Sequence, residues 1–243
     1  MKAWIAFWNI LKKDINNYYL KPPNISWGII FPLAWTLMQF IRSDSINMIE
    51  FLPGLMAMSV LFGTTSVLAV TITFERKGRS FERLLLAPLS LNALVLAKIT
   101  GAIVFGIFNA FVPAVIAMFL TDISGVNWGT VLLSITLIAV TSTLLGLLIA
   151  ISAKEVFEAQ TFSNFFRFPM LFLCGLFIPL HDLPIILQPV SYLLPLTYGT
   201  DILNGSIAGN NVLSPVLCFV MLLASAMLLF TLCRHMINKR WIL

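Results

Sequence analysis

Residues 51–74 read FLPGLMAMSVLFGTTSVLAVTITF, and residues 75–90 continue ERKGRSFERLLLAPLS. The first stretch carries no charge and outruns the about 20 apolar residues that cross a bilayer as a helix. The second gathers Glu75, Arg76, Lys77, Arg79, Glu82 and Arg83 around Phe81 and Leu84-Leu85-Leu86 before Pro88 ends the run. An apolar run that empties into a basic loop reads as a membrane span with that loop held on the cytoplasmic side. The loop itself admits two readings: a short amphipathic helix displayed for a partner, or a basic segment that serves orientation alone.

The same alternation continues outward in both directions. Apolar runs cover about 94–120, 128–151, 163–180 and 212–233, and a shorter one covers about 25–41 between Pro22-Pro23 and Arg42. Trp27 and Trp35 of the short run suit interfacial or packing positions. The 243 residues are 59% hydrophobic and 10% charged, against about 25% charged in a soluble domain, and the mean hydropathy is +0.96. Too little polar surface is left to face water, and the length holds roughly six spans with short loops. The expected fold is an all-α integral membrane protein of six transmembrane helices, one unit over 1–243 with no second soluble domain. No cleavable signal peptide is expected, since the first long apolar run starts only near Ile25.

Six spans put both termini on one side, and the basic residues choose the side. Lys2, Lys12, Lys13 and Lys21 precede the first span, and Arg76, Lys77, Arg79, Arg83 and Lys98 surround the 75–93 loop. Lys154 and Arg167 flank the fourth-to-fifth connection, and Arg234, Lys239 and Arg240 close the chain. The alternate loops hold only Arg42, so fourteen of the fifteen basic residues share one side. The positive-inside rule makes that side cytoplasmic, with both termini there in a multi-pass protein of the cell membrane. A net charge of +5 spread this way is no nucleic-acid patch.

Within this frame, Trp4, Phe7, Trp8, Leu11, Ile15 and Tyr18 recur at helical spacing opposite Lys2, Asn9, Lys12, Lys13, Asn16 and Asn17. Residues 1–22 therefore read as an amphipathic helix lying in the interface against membrane lipid, or packed as a cytoplasmic helix. The third span carries Ala102, Gly106, Ala110 and Ala114 at intervals of four, and the fourth carries Ser142, Gly146 and Ala150. Such stripes let helices approach closely in lipid. Phe105, Phe108 and Phe111 fill the other arc of the third span and either line a hydrophobic substrate cavity or touch lipid.

The segment 174–205 is too apolar for an ordinary loop, yet Pro179, Pro184, Pro189 and Pro195 forbid one long helix. Residues 178–195 are expected to form short helices that dip in from outside and return, which buried backbone tolerates. The adjacent His181 and Asp182 have no nucleophile or metal-ligand cluster around them, so a turn or cap role is expected. Cys174, Cys218 and Cys233 lie in or beside apolar runs without metal or disulfide spacing and read as buried thiols. No GxxxxGK[ST] loop occurs, so the chain is not expected to bind ATP itself. No ionisable residue is expected in the middle of a span, which disfavours ion-coupled transport and intramembrane hydrolysis.

Two stretches carry a resemblance to the permease subunits of type-2 ABC exporters, among them drug-resistance, nodulation-factor and polysaccharide exporters. The first is Phe74-Glu75-Arg76-Lys77-Gly78 with Phe81-Glu82-Arg83-Leu84-Leu85 and Ala87-Pro88-Leu89-Ser90 after the second span. The second is Phe168-Pro169, then Gly175-Leu176-Phe177-Ile178-Pro179, Leu183-Pro184 and Leu194-Pro195-Leu196-Thr197-Tyr198 before the last. The family often has Gly-Thr-Glu where this chain has Arg79-Ser80-Phe81-Glu82, a departure within the docking loop. The resemblance implies a transport subunit, not an enzyme, with ATP and Mg bound on a separate ABC ATPase. It implies two ATPases and a second copy of this permease or a close paralogue, with the substrate path between the permeases.

By the same resemblance the 75–90 loop is a coupling helix, with Glu75, Arg76, Arg79, Glu82 and Arg83 as its contacts, and 152–162 makes a smaller contact. Pro179, His181, Pro184, Pro195 and Tyr198 fall in the exit region. An interior with Phe and Met and no buried charge suits a drug-like or lipid substrate, and a lipid-linked glycan fits the aromatic content. A scaffold that translocates nothing and an ATP-independent carrier are the competing readings. On this basis, substituting Glu75, Glu82 or Arg83 is expected to weaken coupling without unfolding the permease.

Overall fold

The computed structural model describes residues 2–42, 48–85 and 90–241, and every described element is helical. Ala87, Pro88 and Leu89 of the 75–90 loop lie outside the described residues, as does the side chain of Glu82. The chain opens with α1 (Lys2–Asp14) and a π turn (Ile15–Tyr19). Pro22 and Pro23 then begin one interrupted helix made of α2 (Pro22–Ile25), a second π turn (Ser26–Ile30) and α3 (Phe31–Arg42). The long helices follow: α4 (Met48–Lys77), α6 (Leu91–Leu120) and α7 (Trp128–Ser152), with the short α5 (Ser80–Leu85) between α4 and α6. After them come α8 (Val156–Leu173), the short α9 (Gln188–Leu193), α10 (Pro195–Ile207) and α11 (Pro215–Arg240).

Local chemistry sets the boundaries. Ser90 caps α6 by accepting a hydrogen bond from the Ala93 N–H, and Asn127 caps α7 by accepting from Thr130. Proline stands in the first turn of α9, α10 and α11, where its missing N–H costs nothing. Gly175, with φ of +82°, turns the chain just after α8 ends.

Four described helices are long and apolar enough to cross a membrane: α4, α6, α7 and α11. The other two expected spans are not among these four. The α2–α3 helix is interrupted by its π turn, and α8 carries Glu158, Gln160, Asn164 and Arg167 among its aromatics. α4 is the hub, with 94% of its apolar stretch buried against 17% for α11. It packs on α6, α7, α8 and α10, and α7 in turn receives α11.

Small residues make these close approaches possible. Ala102, Gly106, Ala110 and Ala114 are all buried on the α4-facing side of α6, and a Cβ on Gly106 would meet the Thr64 methyl at 2.1 Å. Gly146 of α7 is tighter still in kind, because its Cβ would meet backbone: the Thr65 carbonyl oxygen at 2.5 Å. One turn away the Thr65 hydroxyl donates to the Ser142 carbonyl at 3.3 Å. In lipid, where no hydrophobic effect presses helices together, such contacts supply the packing.

The segment 178–195 is broken into a 3-10 turn (Leu180–Asp182) and α9, and the more deeply buried part lies beyond it in α10. α10 packs on α7, α4 and α11. α1, α4 and α11 end in basic residues, and these ends meet the carbonyl end of α7 at one end of the bundle, here the basic end, while the proline-rich segment lies at the other. Gly146→Ala is expected to push α4 from α7 and cost about 1–3 kcal/mol. A thermal midpoint in detergent falls by several degrees, whereas Gly125→Ala, which meets nothing within 4 Å, leaves it unchanged. An unchanged midpoint for Gly146→Ala contradicts the close-packing account.

Candidate functional site

Four charged side chains meet where α1, α4 and α6 converge at the basic end. Lys98, in the second turn of α6, sits between Asp14, the last residue of α1, and Glu75, in the last turn of α4. Its Nζ lies 2.9 Å from Asp14 Oδ2 and 2.6 Å from Glu75 Oε2. The first contact is a hydrogen bond, while the second is an ion pair without hydrogen-bond geometry. Lys13 closes the group, with its Nζ 2.5 Å from Glu75 Oε1 and 3.2 Å from Asp14 Oδ1. Glu75 and Lys98 are wholly inaccessible and Asp14 is 1% exposed, so the charges answer each other rather than water. Two carboxylates and two ammonium groups sum to zero, the condition under which a buried cluster is tolerable.

The surroundings lock the group further. The Tyr19 hydroxyl donates to the Lys98 carbonyl at 3.3 Å, and its ring packs on Phe105 with centroids 5.4 Å apart. Gly101 leaves room for that ring. Burial alone pulls the Lys13 ammonium down, but the bond to Glu75 and the charge of Asp14 outweigh it and hold its pKa above the ordinary 10.5. A raised lysine pKa stabilises fully below the unfolded value and loses that contribution as pH rises through the folded one, so Lys13 adds no pH dependence near neutrality.

This placement corrects the expectation for Glu75. It is not a surface residue of a docking loop: α4 continues through Lys77, and Glu75 turns inward, with no surface left for a partner. The chain turns at Gly78 and at Arg79, a non-glycine residue with φ of +54°, and α5 begins at Ser80. Arg79 and Arg83 are exposed beside it. Asp14 and Lys98 were missed, although a signal existed. Asp14 falls in register with Ile10 and Leu11 on the buried line of α1, and Lys98 interrupts an apolar run.

Next to this cluster lies a cleft of about 380 Å³ lined by Arg76, Lys77, Phe81, Lys154, Glu155, Arg240 and Trp241. It joins the two segments that the sequence assigned to separate contacts, 75–90 and 152–162, and adds the C-terminal end. Arg76 donates to the Ala150 carbonyl at 3.1 Å and Arg240 to the Ile151 carbonyl at 3.3 Å, so two cations cap the carbonyl end of α7. Phe81 of α5 packs edge-on against Trp241, centroids 5.1 Å apart, and the Arg76 guanidinium lies 5.5 Å from the Trp241 ring. Lys77 and Glu155 stand 3.9 Å apart and well exposed, a pair worth little by itself.

The three phenylalanines expected along a substrate path part company. Phe105 is buried against Tyr19, Phe111 stacks on Trp128 at 6.4 Å, and Phe108 alone is largely exposed. Steps of three residues drift around a 3.6-residue helix, so the three do not share one surface. At the other end, Pro179 and His181 line a cavity of about 400 Å³ with Glu50, Thr200 and Asp201. Pro184 is exposed, Pro195 opens α10, and the buried Tyr198 donates to the Tyr192 carbonyl at 2.6 Å. His181 and Asp182 lie 3.4 Å apart in an exposed turn.

Arg167 departs from expectation. Because α8 begins at Val156 rather than near 163, Arg167 falls well inside the helix instead of at its edge. It is wholly buried, its guanidinium 4.5 Å from the Phe62 ring at the middle of α4. It donates to the Asn164 side chain at 2.5 Å and to the Ser163 and Phe62 carbonyls at 3.2 and 3.4 Å. A charge does therefore lie inside the bundle, held by carbonyl and amide oxygens.

Lys98→Met leaves Asp14 and Glu75 to Lys13 alone and is expected to cost about 3–5 kcal/mol in denaturant unfolding. The double variant with Glu75→Gln is expected to recover part of that loss, and strict additivity of the two contradicts a coupled cluster.

Residues 5–208 match the ABC-2 type transporter family. The chain is 26% identical over 245 residues to the inner membrane transport permease YadH of Escherichia coli strain K12, covering 97% of this chain and 96% of that one. It is 27% identical over 169 residues to nodulation protein J of Sinorhizobium fredii, covering 67% and 63%. It is 26% identical over 152 residues to the probable multidrug ABC transporter permease YbhR of Escherichia coli strain K12, covering 62% and 41%.

Proposed function

The chain belongs to the ABC-2 type transporter membrane family, and from that premise we propose that it is the permease subunit of an ATP-driven exporter. It is an integral membrane protein and a transport subunit rather than an enzyme. In this reading the interrupted α2–α3 helix, α4, α6, α7, α8 and α11 are six spans. The basic end faces the cytoplasm with both termini, as the distribution of Lys and Arg favours. α1 lies at the cytoplasmic interface, with Trp4 and Trp8 exposed toward lipid. The segment around α9 and the start of α10 dips in from outside and shields the exit. ATP and Mg belong to a separate ABC ATPase, two copies of which serve two permeases, with the substrate path between the permeases.

The observation that carries the reading is the cleft at the basic end. Two segments remote in sequence, 75–90 and 152–162, converge there beside the exposed Arg79, Arg83 and Lys154. A partner seated on α5 and this rim bears directly on α4, because only Gly78 and Arg79 separate the two helices. The buried cluster then carries the displacement from α4 to α1 and α6 as one block. ATP shifts the equilibrium only through its different affinity for the two states of the partner. The permease converts that shift into helix movement. The mostly apolar interior supports a hydrophobic or amphipathic substrate: drug-like, lipid or lipid-linked glycan.

Arg83→Glu combined with Lys154→Glu is expected to weaken co-purification with the partner ATPase by about tenfold, or about 1.4 kcal/mol. The thermal midpoint of the permease alone stays unchanged, since both side chains are exposed. Undiminished co-purification and transport contradict the docking surface. Intact ATPase binding without vectorial movement of any candidate drug, lipid or glycan points to a scaffold instead.

A further inference from the structure

Outside the cleft and the charge cluster, a groove of about 340 Å³ opens between α6 and α11, with Leu147 of α7 contributing to its wall. It lies on three helices that are long and apolar enough to cross a membrane. Its polarity is graded along its length. On α6, Asn92 stands at the basic end and Leu96 and Ile99 follow one and two turns inward. On α11 the order is reversed by the antiparallel course, with Phe230 inward and Arg234 and Asn238 each one turn nearer the basic end. The graded stretch spans seven or eight residues on each helix, about 10–12 Å.

The groove thus has a mouth with one cation and two amides, and a body of aliphatic and aromatic carbon. No acid lines it among the described residues, and Arg234 is exposed at the mouth. A guanidinium forks onto phosphate oxygens, and the Asn92 and Asn238 amides add further donors. A soluble partner does not reach a surface sunk among apolar helices, whereas an acyl chain gains by covering it.

We propose that this groove seats an anionic phospholipid, its phosphate on Arg234, Asn92 and Asn238 and one acyl chain against Leu96, Ile99 and Phe230. The net negative headgroup is selected because the mouth offers a positive charge with no acid to receive a zwitterion's ammonium. The leaflet involved, the inner one, rests on the orientation proposed above. The site itself rests on the groove. The bound lipid fills the wedge between α6 and α11 and so joins the last helix to the block that α6 shares with α1 and α4.

The test is native mass spectrometry of the whole permease, with phosphatidylglycerol and phosphatidylcholine of identical chains as probes. The expected result is retention of phosphatidylglycerol about tenfold above phosphatidylcholine, lost in Arg234→Gln and also in Leu96→Trp, which blocks the body and keeps the charge. Lys21→Gln, which removes an exposed cation elsewhere, retains the lipid. Equal retention of the two lipids, or full retention in either groove variant, overturns the proposal. Because no ATPase enters this measurement, lipid retention with failed coupling sinks only the transport reading, and the reverse result sinks only the lipid site.

Discussion

Charges removed from water stay folded only if they stay together, and that constraint organises the basic end of this protein. Lys98 and Glu75 have no exposed surface, and Asp14 has almost none. Each would be costly alone in a low-dielectric interior. Held within 2.5 to 3.2 Å of one another with Lys13, they form a neutral group that no single helix can leave. The terminal helix is therefore not merely laid against the bundle. Its last residue is bound into the ends of α4 and α6.

The rest of the architecture extends from that point along α4. Gly146 and Gly106 bring α7 and α6 close enough for backbone to touch backbone or methyl. Arg76 and Arg240 tie the open carbonyl end of α7 to the ends of α4 and α11. Arg167 does the corresponding work at mid-helix, reaching from α8 to the Phe62 carbonyl without an acid partner among the described residues. Small residues set distances, and cations fix which ends meet. On the proposed reading this gives a partner at the basic end a stiff lever rather than a set of loose helices.

Much of this was legible in the sequence, and the failures have physical causes. Long apolar runs announced α4, α6, α7 and α11, because length and apolarity are local properties. The stripes Ala102-Gly106-Ala110-Ala114 and Ser142-Gly146-Ala150 were legible for the same reason, since spacing alone puts them on one face. Glu75 was misassigned to a surface loop because its partners lie 62 and 23 residues away in Lys13 and Lys98, and pairing across helices leaves no local trace. Arg167 was misplaced by the start of α8, which falls at Val156, ahead of the apolar run. The phenylalanines of α6 were grouped by their spacing on one arc, whereas the helix divides them among three environments.

On the proposed reading, α1, α4 and α6 move as one body at the basic end. Spin labels at the exposed Lys12 of α1 and Lys77 of α4, read by pulsed electron resonance in the permease–ATPase complex, test it most directly. During turnover confirmed in the same vesicles, the account predicts one narrow distance that ATP does not change, and a broadened one in Lys98→Met. A distance that shifts with nucleotide in the unsubstituted protein contradicts it.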